Sequence, residues 1–88
     1  MTNYYLEQKV WKRRDASTAV LYRCLLDIRT NMFAVQSADF FHEPFGHEQL
    51  LSSEKQFLEL LVQTEPADRC EWFESLDKAI SAHERDFS

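Results

Sequence analysis

The chain has 88 residues, with 10 Lys and Arg against 15 Asp and Glu, a formal charge of −5, one Gly and two Pro. This length fits a single domain, residues 1–88, and excludes a two-lobed enzyme with a cofactor cleft between its domains. A content of 44% hydrophobic and 28% charged residues matches a compact chain, not a disordered or collagen-like one.

Period-two alternation rich in Val, Tyr, Phe and Ile runs through the first forty residues and predicts strands near Tyr4–Lys12, Ala19–Arg29 and Met32–Phe40. Thr30-Asn31 reads as a tight turn, since Asn tolerates the left-handed backbone. Pairing Arg29 with Met32 across it sets Ile28 opposite Phe33, Leu26 opposite Val35 and Cys24 opposite Ser37, all on one core face. In the first strand Tyr4, Leu6 and Val10 belong on that face, because a slip by one residue would bury Glu7 and Lys9.

Beyond Phe45-Gly46 the period becomes helical. Leu50, Leu51, Phe57, Leu58, Leu61 and Val62 fall on one stripe of a helix over His47–Gln63, with Ser52, Ser53, Lys55, Gln56 and Glu59 opposite. Pro66 opens a short helical turn, and Ser75 caps a last helix on which Leu76, Ala79, Ile80, His83 and Phe87 share a face. Strands followed by helices predict an α+β fold: a three-stranded antiparallel meander with two to three C-terminal helices packed on one face.

No strong catalytic, metal or nucleotide motif is present. One glycine cannot build a phosphate-cradling loop, and no CxxC or helical His pair supplies metal-ligand spacing, so no cofactor is expected. His42 and His47 flank Pro44 as a weak loop cluster. Cys24 and Cys70 lie 46 positions apart, without the density of a disulfide scaffold; they read as free thiols, Cys24 in the core with a raised pKa. The longest apolar runs, Ala19–Tyr22 and Met32–Val35, are only four residues, against the ~18 of a membrane span. The expectation is a soluble, cytoplasmic protein that does not enter membranes. Glu54 and His83 sit within apolar stripes, where a carboxylate of raised pKa beside a histidine could perform acid–base chemistry. The same placement suits a structural pair between Glu54 and the sheet, which is the preferred reading.

Charge is unevenly spread: six bases against three acids over residues 1–30, four against twelve over residues 31–88. With both helices on the core face, the other sheet face is expected to be open and to carry Tyr5, Lys9, Trp11, Arg13, Leu21, Arg23, Leu25 and Met32. Aromatic and Arg side chains on an open sheet suit a protein partner or a second copy, and equally stack on unpaired bases. Net acidity favours the first. The leading expectation is therefore a protein-interaction module, self-associating as a homodimer through that face. A single-stranded nucleic-acid binder on the same face is the alternative, and a small enzyme using Glu54 and His83 the second.

Overall fold

The computed structural model describes residues 3–87, the side chain of Phe87 excepted. Three strands, β1 (Tyr5–Arg13), β2 (Thr18–Asp27) and β3 (Met32–His42), form an antiparallel sheet in the order β1-β2-β3. Three helices follow: α1 (His47–Gln63), the single turn α2 (Pro66–Arg69) and α3 (Leu76–Phe87). The α+β class, the meander and the C-terminal helices are as expected from the sequence.

The helices do not share a face. Tyr22 donates its hydroxyl proton to Glu84 of α3, while the next residue, Arg23, bonds to Ser53 of α1. Consecutive strand residues point to opposite faces, so α1 and α3 sandwich the sheet. The central strand pays for this double cover with its sequence: seven of its residues, Val20, Leu21, Tyr22, Arg23, Cys24, Leu25 and Asp27, are buried. Under α3 the core is Val20, Tyr22 and Cys24, packed with Val10, Val35, Ala38, Leu76 and Ile80. Ser75 caps α3, its hydroxyl accepting from the Lys78 N–H.

In the β2–β3 hairpin, Met32 faces Asp27, not Arg29, so the connection is four residues long, Ile28 to Asn31. Asp27 explains the longer turn: its side chain accepts from the Arg29 N–H and its carbonyl from the Asn31 N–H. Asn31 takes the left-handed backbone, φ 60°. The shift amounts to two positions, so Cys24, Leu26, Phe33 and Val35 still share a face. Ile28 moves into the turn and is exposed. Gln36 then forms a bulge: Cys24 pairs with Val35 but Arg23 with Ser37. The extra residue turns Ser37 toward α1 and Ala38 toward α3, the reverse of simple alternation.

Two predictions follow from this geometry. A left-handed residue strains any β-branched side chain, so Asn31→Val should lower unfolding free energy by ~1–2 kcal/mol and Asn31→Gly should leave it nearly unchanged in urea melts. Cys24 is fully buried and burial pushes its thiol up to about 11, whereas Cys70 is half-buried with Arg69 partly offsetting the rise. A thiol reagent at neutral pH should therefore modify Cys70 first and reach Cys24 only at the rate of unfolding.

Candidate functional site

Arg23 organises the α1 face. Its guanidinium is almost wholly enclosed, yet it lies on the middle strand, flanked by β1 and β3 and roofed by α1. Nε donates to Ser53 Oγ at 2.9 Å, Nη1 donates to Glu7 Oε2 at 3.0 Å and Glu54 Oε2 at 3.1 Å, and Asp39 lies 3.5 Å from Nε. The Phe57 ring lies 5.5 Å beneath the guanidinium carbon. A buried charge is tolerated only when paired and hydrogen-bonded, and here three elements, β1, β3 and α1, supply the partners. Ser53 passes the interaction on, donating to Asp39 at 2.6 Å. Lys9 reaches Glu54 from β1 at 3.3 Å.

This network sets the roll of α1. The buried residues of the helix are Phe57, alone of the apolar stripe counted from the sequence, and Ser53, expected on the opposite side. Ser53 turns inward because Arg23 and Asp39 require a small group that both accepts and donates. Leu50, Leu51, Leu58 and Val62 are consequently exposed, Val62 at 81%. From the bulge, Gln36 donates to the Phe57 carbonyl and accepts from Arg69, tying α1 and α2 to β3.

The expected open face is thus closed, and the expected contact residues divide into two groups. Leu21, Arg23 and Leu25 are each 1% exposed beneath α1, and Met32 is half-buried. Lys9, Trp11 and Arg13 are exposed on β1, with Tyr5 half-buried there beside Trp72, ring centroids 6.0 Å apart. Trp11 leans on Phe41 at 5.4 Å and remains 52% exposed. The four accessible residues have a common property: all belong to one edge strand. Ile28 donates to the Tyr4 carbonyl and Arg14 to the Thr18 carbonyl. Even-numbered residues of β1 therefore face β2, and alternation turns the N–H and C=O groups of Tyr5, Glu7, Lys9, Trp11 and Arg13 outward. At the opposite edge Phe73 pairs with Phe33 of β3, whereas the sheet shows no strand beyond β1 among the described residues.

Glu54 and His83 are not brought together, for they lie on opposite faces of the sheet. Glu54 is held below the usual 4.5 by its Lys9 hydrogen bond first, which with Arg23 outweighs the opposing effect of burial. The raised carboxylate of the acid–base alternative is absent because Glu54 forms the structural pair with the sheet that the sequence favoured, through Lys9 and Arg23. His83 stands edge-on to Tyr22 with ring centroids 5.9 Å apart, and burial lowers its pKa. A cleft of about 760 Å³ opens beside it, lined by Lys12, Arg14, Val20, Tyr22, Ala38, Phe40, His83 and Glu84. Its polar groups already satisfy one another: Lys12 and Tyr22 both donate to Glu84, at 2.6 and 2.8 Å, and Arg14 stacks over Phe40. Burial first, and the Glu84 contact after it, hold the Tyr22 hydroxyl up at about 12.

Among the described residues no three His, Cys, Asp or Glu side chains are grouped to hold a metal ion, and no helix is long and apolar enough to cross a membrane. No family model matches this chain, and no curated protein or solved structure matches it.

The network makes measurable demands. Ser53→Ala strands both Arg23 and Asp39 and should cost ~1–3 kcal/mol; Arg23→Met, which removes the cation shared by Glu7, Asp39 and Glu54, should cost ~3–5 kcal/mol, both read from urea unfolding. Wild-type stability in Arg23→Met would refute the role given to it. Because the folded pKa of Glu54 lies below 4.5, its contribution is present above that pH and is lost as pH falls through the folded value. Glu65 and Glu84 are lowered likewise, by hydrogen bonds from Tyr5 and Lys12 first. Melting temperature should drop as pH falls below 4.5, and less steeply in Glu54→Gln.

Proposed function

We propose that this chain is a protein-interaction module whose contact surface is the free edge of β1 together with the outward apolar side of α1. The observation that carries the reading is a nine-residue strand, unpaired along its outer edge among the described residues, beside a helix exposing Leu50, Leu51, Leu58 and Val62. Either feature is a liability in isolation. An open edge recruits further strands, and a contiguous exposed apolar patch marks a contact site. A partner that adds a strand to β1 meets Leu6 on one side of the sheet and Trp11 on the other, both exposed.

The oligonucleotide reading loses support on this geometry. Arg23 is buried among carboxylates, and Lys9 and Lys12 are engaged by Glu54 and Glu84, which leaves little unpaired positive charge for phosphates. Acid–base chemistry by Glu54 with His83 loses its geometry. Two free cysteines, one of them buried, accord with a reducing, cytoplasmic setting.

The test is site-specific photocrosslinking in cells. A photoactivatable phenylalanine analogue replacing Trp11 or Leu58 should give discrete protein adducts, and the same analogue at exposed Asp77 on α3 should not. Adducts no stronger from the first two sites than from Asp77 would remove this surface as a contact.

A further inference from the structure

Resting on that reading, we infer that the occupant of the β1 edge is a second copy of this chain, paired antiparallel through β1 with the two-fold axis at Gln8. Outward-facing backbone groups belong to Tyr5, Glu7, Lys9, Trp11 and Arg13, so a two-fold antiparallel pair must set odd residues opposite odd ones. Any centre on a residue of β1 satisfies this, so the side chains choose among them. A pair centred on Lys9 opposes the two Lys9 side chains, and one centred on Glu7 opposes the two Glu7 side chains; like charges directly across a ladder repel. Centred on Gln8, Glu7 of each copy faces Lys9 of the other, Tyr5 faces Trp11 and Leu6 faces Val10. The strand is complementary to itself in this register and in neither neighbour.

Two further observations fit the same register. Lys9 and Glu7 are the outer members of the Arg23 network, Lys9 held by Glu54 and Glu7 by Arg23. Across the seam they join Glu54, Lys9, Glu7 of the second copy and its Arg23 into one line of alternating charge. Gln8 itself is anomalous, since its Oε1 is buried without a hydrogen-bond partner among the described residues. At the axis the two Gln8 residues form a non-hydrogen-bonded pair, the closer of the two antiparallel spacings. Each carboxamide, turned out from the cover of its own chain, then offers its N–H to the oxygen of the other. Residues paired directly across the seam share a face, so both α1 helices come to lie on one side of the joined six-stranded sheet.

Cysteine placed at the axis tests the register directly. In a Cys70→Ser background, Gln8→Cys should oxidise to a covalent dimer, because Cα atoms ~4.5 Å apart suit a disulfide. Lys12→Cys, far from its counterpart, should not. Lys9→Pro removes an outward N–H and no ladder bond to β2, and should weaken association about tenfold or more in sedimentation equilibrium with the far-UV spectrum unchanged. Should the Gln8→Cys chain fail to fold, this second variant decides. Crosslinking from Lys12→Cys as readily as from Gln8→Cys would overturn the register, and a wild-type monomer at millimolar concentration would overturn the second copy as occupant. Photoadducts from Trp11 to a different protein, with such a monomer, would leave the contact surface standing and sink the dimer alone.

Discussion

A guanidinium that cannot reach water dictates the arrangement of the α1 side of this molecule. Arg23 stands in the middle of the central strand, where an apolar residue would have been the inexpensive choice, and its burial demands anionic or accepting groups from every direction. Glu7 comes from β1, Asp39 from β3, Ser53 and Glu54 from α1. Desolvation of a charge costs several kcal/mol if geometry is poor, so the network penalises alternative rolls or slides of α1 far more sharply than apolar packing would. Leu-rich interfaces can slip by a turn at little cost; a fork bonded on both sides cannot.

That specificity has a counterpart in thin packing. The sheet is only three strands wide and is covered on both faces by single helices, so no layer is deep. The Cα radius of gyration, 13.5 Å, exceeds the ~12 Å expected of a compact chain of this length, and the longest dimension is 43 Å against a shortest of 18 Å. Apolar side chains that a thicker protein would enclose, among them Tyr4, Phe40 and Phe45, are instead exposed. The two halves of the core are also chemically unlike: ionic beneath α1, and beneath α3 an apolar cluster around Cys24.

The class of fold was legible because period two gives way cleanly to period 3.6 near Gly46, and α1 runs over His47–Gln63 as the periodicity indicates. Its orientation was not. A count of apolar positions scores Ser53 as outward, whereas a small hydroxyl is what Arg23 and Asp39 need between them. The clue lay in β2, where Arg23 interrupts a run from Ala19 to Leu26 that is otherwise apolar; a charge so placed announces a polar counterpart on the covering helix. The Gln36 bulge could not be read locally, since it depends on where hydrogen bonds of the neighbouring strand fall, whereas the four-residue turn has a local cause in Asp27, which a pairing counted from Thr30-Asn31 passes over. Of the residues expected at a contact surface, Tyr5, Lys9, Trp11 and Arg13 are at an accessible edge because β1 is outermost. Leu21, Arg23 and Leu25 are not, because β2 is central. The meander order already placed β2 in the centre; what alternation does not encode is that α1 lies over this face and closes it everywhere but at the edge.

The bulge at Gln36 sits outside the count of the ladder. Arg23 to Ser37, Tyr22 to Ala38 and every later pair of β3 would join without interruption to Cys24 and Val35 if position 36 were simply missing. The sheet is therefore complete without this residue, and what Gln36 adds belongs to other elements, the carbonyl of Phe57 and the guanidinium of Arg69. It behaves as a fastener inserted into an already closed seam. A chain lacking it would keep its strands in phase while losing the tether that joins α1 and α2 to the sheet. An extra residue at Ala38, by contrast, would throw the end of β3 out of phase unless it too bulged.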